Sequence, residues 1–294
     1  MNEAREARER VFGFASFRPG QEEILKAVFA GENILAVMPT GSGKSLVYQL
    51  PAIVRNGLTV VVSPLIALMR DQVQQLQTRG IAAAAMNSSN SGEENAAIES
   101  GLRRRRYCLL YAAPERLVRP GTPELLREAG ATVFAIDEAH CVSQWGHDFR
   151  PEYLDLAEIA RAIGELQLIA VTATADAPTR AEIIERVFPA PPRVFVRSVD
   201  RPNIRLAFER KVNALRQIRR VLSRHKGESG IVYCASREGV ERLSGTLSET
   251  GISALPYHAG LDADTRSRNQ DEFLRNDGTV IVATIAFGMG VDKP

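Results

Sequence analysis

Cysteine is scarce in this 294-residue chain: Cys108, Cys141 and Cys234 stand far apart and show no CxxC spacing. That argues against a disulfide framework and predicts no zinc site within these residues. A charge imbalance is also missing. The net charge is only +2, so no overall basic field announces a nucleic-acid binder, although a local groove attracts phosphate whatever the total. No apolar run is long enough to span a bilayer. The N-terminal "MNEAREARERVFGF" is charged and lacks the apolar core of a signal peptide. Together these absences point to a soluble chain of a reducing, cytoplasmic compartment. Aromatic residues are few, at 6% with a single tryptophan, Trp145, so the place where they gather is informative.

What is present is an alternation of two patterns. Hydrophobic residues make up 45% and charged residues 24%, enough apolar matter for packed cores, and the length allows two domains. The apolar runs "NILAVM", "LTVVVS", "YCLLYAA", "TVFAID" and "LQLIAVTAT" alternate with helical patterns. Continuous apolar runs of this kind predict parallel strands buried on both faces, with the helices as crossovers. The proline-rich "FPAPPRVFVRSVDRPNIR" predicts a hinge near residue 200. The alternation then resumes with "SGIVYC", "ISALPYH" and "GTVIVAT", without a second glycine-rich loop. The expectation is α/β architecture, with one parallel-sheet domain over residues 1–200 and a second over residues 201–294.

The segment "VMPTGSGKSLVYQ" follows a strand and opens a helix. There Gly41 and Gly43 would let backbone N–H groups turn inward around phosphate oxygens at a helix N-terminus, with Thr40 and Ser42 in the same nucleotide-binding turn. Lys44 would reach the β- and γ-phosphates and Ser45 would ligate Mg²⁺. The literal P-loop pattern fails at one position, where Met38 stands in place of glycine. Asp137 and Glu138 end "TVFAID", at the edge where α/β sheets bind ligands. One carboxylate would hold Mg²⁺, and the other would orient or deprotonate a water. Phosphate loop and acid pair together predict NTP hydrolysis. Upstream, Phe14, Arg18 and Gln21 of "FGFASFRPGQEEIL" could form a base-reading set; taken as residues alone, they are better read as a helix start with a buried aromatic and Pro19 near its first turn.

The large aromatics gather directly after the acid pair, in "DEAHCVSQWGHDFRPEY". On composition alone, Trp145 and Phe149 would be core residues capping the sheet. The ordered set "FRPGQ", "MPTGSGKSLVYQLPA", "VVSPLIALMRDQV", "YAAPERL", "DEAHCVSQWGHDFRPEY", "VTATA", "GIVYCASREGVERL", "YHAGL" and "VIVATIAFGMGVDKP" resembles the helicase motifs of the RecQ family, from about residue 11 to the last residue. "DEAH" alone would also suit RNA helicases; "CVSQWGHDFRPEY" is what resembles RecQ.

The resemblance implies two RecA-like domains in tandem and an ATP-dependent, 3′ to 5′ DNA helicase of repair or recombination, associated with the nucleoid in a bacterial-type cytosol. It implies ATP and Mg²⁺ as cofactors, and single-stranded and partly duplex DNA as partner. Phe14, Arg18 and Gln21 become the adenine site, with Phe14 where the family often has tyrosine. Lys44, Asp137 and Glu138 become catalytic residues, with Ser45 and Asp137 on Mg²⁺ and Glu138 as base. His140 would link the acid pair to DNA, and Thr172 and Thr174 would couple hydrolysis to domain movement. Trp145, His147, Phe149 and Arg150 would sense single-stranded DNA, with bases stacked on the aromatics at about 1–3 kcal/mol each. Ser236, Arg237 and Thr284 would touch the DNA backbone. The four arginines Arg103–Arg106 are read instead as a solvated helix end.

The family's QxxGRxGR motif is not in the sequence, nor are its zinc-binding, winged-helix and HRDC regions. The expectation is therefore a truncated second domain and slowed turnover. A catalytically silent ATP- and DNA-binding fragment is the alternative, with an RNA helicase as a third reading.

Overall fold

The computed structural model describes residues 1–143, 150–198 and 204–284, together with Phe287 and Lys293. The chain divides into two compact units, Met1–Asn203 and Ile204–Pro294.

In the first unit the chain runs α1 (Asn2–Phe12), α2 (Gln21–Phe29), β1 (Ile34–Val37), α3 (Leu46–Val54), β2 (Leu58–Val62), α4 (Ile66–Thr78), β3 (Ala83–Met86) and α5 (Gly92–Arg103). It continues with β4 (Leu109–Ala112), α6 (Pro114–Leu117), α7 (Thr122–Glu128), β5 (Ala131–Ile136), α8 (Leu156–Ile163), β6 (Gln167–Thr172), α9 (Ala177–Val187) and β7 (Arg193–Val196). The seven strands form one sheet in the order β3-β4-β2-β5-β6-β1-β7, and their pairings are parallel.

The apolar runs are continuous because both faces of this sheet are covered. Successive residues of a strand point to opposite faces. Val61, Val133 and Ala135 pack with Leu25, Tyr48 and Met69 of α2, α3 and α4. Val60, Val62 and Phe134 pack with Leu126, Leu156 and Ile183 of α7, α8 and α9.

Two strands depart from the sequence reading. Residues 193–196 lie inside the proline-rich stretch expected to be a hinge, yet they form edge strand β7, paired to β1 from Ile34↔Arg193 to Val37↔Val196. Prolines at 189, 191 and 192 precede the strand and leave its own N–H groups free for the ladder. Strand β3 is the alanine-rich "AAAM" at the other edge, where composition carries little strand signal. The arginine run closes α5: Arg103 is its last residue, Arg104–Arg106 are exposed, and β4 begins three residues later. That places the run at the edge of the sheet opposite the phosphate loop.

The second unit contains α10 (Ala214–Arg224), β8 (Gly230–Tyr233), α11 (Arg237–Ser248), β9 (Ala254–Tyr257), α12 (Ala263–Arg275) and β10 (Val280–Ala283). Its sheet runs β8-β10-β9, again parallel. Val282 packs with Val240 and Leu247 of α11 on one face. Ile281 and Ala283 pack with Phe273 of α12 on the other. None of the helices of the described residues is long and apolar enough to cross a membrane. The three cysteines are free; Cys141 is buried, while Cys108 and Cys234 are half-buried.

Candidate active site

Because the strands run parallel, the turn after β1, the acids after β5 and Thr172 at the end of β6 all emerge at one edge of the sheet. Strand β6 lies between β1 and β5, so the phosphate loop and the acid pair face each other across one strand's width.

The loop itself is a tight turn. Gly41 and Gly43 both have φ of 78°, a left-handed conformation that side chains disfavour. Gln21, at the start of α2, clamps the turn from outside: its Nε2 donates to Ser42 O at 3.0 Å and to Gly43 O at 3.1 Å. Its Oε1 accepts from Arg18 N at 2.8 Å. Gln21 thus holds the phosphate loop, and reading a base with Nε2 requires it to release one of these bonds. A Cβ on Gly43 would stand 2.5 Å from that Nε2. Gly43→Ala is expected to lower stability by about 1–2 kcal/mol through strain at positive φ and loss of the clamp, as read in a denaturant melt. Ser42 Oγ is buried without a hydrogen-bond partner, and Ser45 occupies the N-cap of α3 without using its side chain as a cap.

Arg18 is exposed. Phe14 is exposed as well and lies nearly parallel to Phe12, with ring centroids 6.1 Å apart. The turn that carries Phe14 is held by Arg8, whose guanidinium donates to Phe14 O at 2.7 Å and Ala15 O at 2.8 Å. Arg8 is buried under the ring of Phe17. Nothing in the sequence pattern singles it out; an arginine in a charged helix reads as a solvated one.

Asp137 is buried, and both carboxylate oxygens are held. Oδ1 accepts from Glu138 N at 2.9 Å, and Oδ2 accepts from the Tyr48 hydroxyl at 3.2 Å. Its backbone carbonyl accepts from the Tyr153 hydroxyl at 3.2 Å. Burial first, and then the neighbouring Glu138 charge, push the Asp137 carboxyl up to about 6; the Glu138 N–H, Lys44 and Tyr48 pull the other way. Glu138 has φ 48° and ψ 46°, strain of a kind that collects at functional sites. Burial pushes the Tyr48 and Tyr153 phenols well up, so both stay protonated donors.

His140 is buried beside the acids. Its Nδ1 lies 2.9 Å from Thr172 Oγ1 and 3.4 Å from Glu138 Oε2. The Thr172 hydroxyl donates to Thr174 O at 3.1 Å, which leaves its lone pairs for an Nδ1–H and sets the tautomer. His140, Thr172, Thr174 and Glu138 are therefore brought together as one hydrogen-bonded group.

Trp145, His147 and Phe149 lie outside the described residues; the segment's two ends do not. Ser143 is buried and donates through Oγ to Glu182 Oε2 at 2.6 Å. Arg150 N donates to Cys141 O at 3.0 Å, and its guanidinium donates to Pro64 O at 3.2 Å. The segment therefore leaves and rejoins the chain beside the acid pair, and Tyr153 fastens its far end to Asp137.

In the second unit, Ser236 and Arg237 follow β8 and Thr284 follows β10, at the same edge of that sheet. Ser236 caps α11, its Oγ accepting from Gly239 N at 3.1 Å. Thr284 N donates to Tyr257 O at 3.3 Å.

The donors available for Mg²⁺ are hard oxygens, the Asp137 carboxylate and the Ser45 hydroxyl, which suits that ion. A buried carboxylate raised to about 6 is also one that a cation would favour in its ionised form. Among the described residues no group of three or more His, Cys, Asp and Glu gathers to hold a metal. A Mg²⁺ carried in with a nucleotide does not require such a group.

The DEAD/DEAH box helicase family matches residues 18–183, and the helicase conserved C-terminal domain matches residues 210–294. The ATP-dependent DNA helicase RecQ of Haemophilus influenzae is 46% identical over 283 residues, covering 96% of this chain and 46% of that protein. The probable ATP-dependent DNA helicase RecS of Bacillus subtilis is 40% identical over 298 residues, covering 100% of this chain and 60% of that protein. The chain thus spans about half the length of the curated relatives it matches. Among solved structures, the helicase MrfA bound to DNA and AMPPNP matches with a TM-score of 0.77 at 21% identity, covering 100% of this chain and 45% of that one. Helicase Lhr of Mycobacterium smegmatis, bound to ssDNA and AMP-PNP, gives 0.69 at 21%, with 100% and 42% covered. These two speak for the fold, α/β with RecA-like parallel sheets. A family match over more than half the chain, joined to identities of 40–46% with RecQ-type proteins, places the chain among the DEAD/DEAH box helicases and, within them, in the RecQ family.

Proposed function

We propose that this chain is motor core of an ATP-dependent DNA helicase, turning ATP hydrolysis into movement along single-stranded DNA and opening of duplex. The observation that carries this is the convergence of the phosphate loop and a buried acid at one edge of one sheet, with Lys44 close enough to favour the ionised Asp137. The names of the relatives, ATP-dependent DNA helicases, support the choice of nucleotide and of DNA. Residues 1–200 are then the ATP-binding RecA-like domain and residues 201–294 belong to a second one. The family resemblance supports 3′ to 5′ movement, a role in repair or recombination, and work in the cytosol on nucleoid DNA.

In this reading Thr40–Ser45 wrap the phosphates with backbone N–H groups, and Lys44 sets its charge against the β- and γ-phosphates. Ser45 and Asp137 would hold Mg²⁺, which when bound would supply positive charge to the phosphate oxygens. Glu138 orients the attacking water and takes its proton. Phe14, Arg18 and Gln21 face the adenine, and Gln21 joins base recognition to loop position through its bonds to Ser42 and Gly43. Trp145, His147, Phe149 and Arg150 meet single-stranded DNA, and Ser236, Arg237 and Thr284 meet its backbone from the second unit. The bonds of Tyr153 to Asp137 and of Arg150 to Pro64 support a path from DNA to the acid pair.

The test is ATP hydrolysis by these 294 residues, with and without single-stranded DNA or RNA. Single-stranded DNA is expected to stimulate turnover, and Trp145→Ala to keep the basal rate while losing the stimulation. Better stimulation by RNA would make it an RNA helicase. Nucleotide binding without hydrolysis would make it a silent binding module.

A further inference from the structure

Tyr48 lies three residues beyond Ser45, in the first turn of α3, in a run whose pattern asks only for an apolar residue. Its side chain is 1% exposed and its ring packs edge-on against Tyr111, with centroids 6.3 Å apart. Phenylalanine would pack there as well. A hydroxyl buried at that depth costs free energy unless it is bonded, and this one donates to Asp137 Oδ2 at 3.2 Å. The Ser45 side chain is also near enough to influence the phenol.

Strands β1 and β5 share no ladder, because β6 separates them. The register between phosphate loop and acid pair therefore needs other links, and Tyr48 supplies a direct one from α3 to Asp137. Helix α3 is itself fixed against rotation. Gln49 Nε2, one residue on, donates to the Tyr111 hydroxyl at 2.8 Å and to Gln72 Oε1 at 2.9 Å, reaching β4 and α4. With Glu138 N on Oδ1 and the Tyr48 hydroxyl on Oδ2, the Asp137 carboxylate cannot turn about its Cβ–Cγ bond without breaking a hydrogen bond.

Resting on the nucleotide-site reading above, we infer that Tyr48 is a positioning residue for metal binding: its hydroxyl fixes the Asp137 carboxylate relative to the helix that carries Lys44 and Ser45. It touches neither nucleotide nor metal and acts through Asp137.

Tyr48→Phe removes the hydroxyl and keeps the ring. Tyr111→Phe, the control, removes the neighbouring buried hydroxyl, while Gln49 keeps its bond to Gln72 Oε1 on α4 and the Tyr48 hydroxyl keeps its bond to Asp137. Each variant is titrated with Mg²⁺ in the presence of a fluorescent ADP analogue, and binding of the analogue is also measured in EDTA. A hydrogen bond to a charged group is worth about a factor of ten or more. Tyr48→Phe is expected to raise the half-saturating Mg²⁺ about tenfold, with affinity in EDTA unchanged and excess Mg²⁺ restoring full binding. Tyr111→Phe is expected to match the wild type. A wild-type Mg²⁺ curve for Tyr48→Phe overturns the inference, and so does an equal shift in Tyr111→Phe, which would report general loosening of the core. Lys44→Ala run alongside separates the two levels: if it binds the analogue as the wild type does, the nucleotide-site reading itself fails.

Discussion

Lys44→Ala is expected to lower ATP turnover by about 10²–10³-fold, the scale on which removal of one preorganised charge-stabilising group acts. Lys44 ends the glycine turn and immediately precedes Ser45, the N-cap of α3. Its ammonium enters a partly buried site that already holds the Asp137 and Glu138 carboxylates. It is one of the groups that favour the ionised Asp137 against the larger effect of burial. Its removal therefore takes away a charge from the phosphates and makes the neighbouring acid harder to ionise. Both effects reduce turnover. The variant is expected to fold, because the turn is held by its glycines and by Gln21 rather than by the lysine. Single-turnover hydrolysis with saturating single-stranded DNA, beside a thermal melt, checks this. A folded variant that retains wild-type turnover would remove the phosphate loop from the chemistry.

The parts of the site that were legible in the sequence are contiguous ones. A phosphate loop is six residues on one turn, and the acid pair is two residues at a strand end, so their residue types and spacing carry them. Contacts between distant segments were not legible. Tyr48 reaches Asp137 across 89 positions, and Arg55 bonds Gln167 across 112; each is a polar residue whose partner is fixed only by strand order. Gln21 shows the same limit in a milder form. Its place beside a nucleotide could be inferred from resemblance, whereas its hold on Ser42 and Gly43 follows from where α2 packs. Fold class was legible because two-sided burial imposes continuous apolar runs on central strands. The edge strands β3 and β7 escaped for different reasons: β3 is largely buried but carries "AAAM", small side chains with little strand signal, whereas β7 carries "RVFV" with only Phe195 buried, so burial leaves a weak mark on its sequence.

Asp137→Asn is expected to do two opposite things, to abolish turnover and to stabilise the nucleotide-free protein. The carboxyl stands at about 6 in the folded chain against an ordinary 3.8. A raised value means that the folded state binds the proton more tightly than the unfolded state, so stability is lost as pH rises from about 4 to about 6, and above that the full cost of the buried charge is present. At pH 7.5 the burial of this charge costs about 2–3 kcal/mol relative to a neutral group of the same shape. Asparagine has that shape and keeps the bonds: its Oδ1 accepts from Glu138 N, and its Nδ2 donates to the Tyr48 oxygen, which can serve as acceptor. Melted in EDTA at pH 7.5, the variant should gain about 4–10 °C, the range expected for a unit of this size. The gain should fade as pH falls from about 6 toward 4, where the native carboxyl is itself protonated. Hydrolysis should be lost at every pH, since the amide is a poor ligand for Mg²⁺. A gain that does not change with pH would mean that charge burial is not its source. A loss of stability would mean that the ionised Asp137 holds the fold together through Tyr48 and Glu138. The expected result instead makes Asp137 a charge kept at the expense of stability, held ready by two hydrogen bonds for a cation that arrives with the nucleotide.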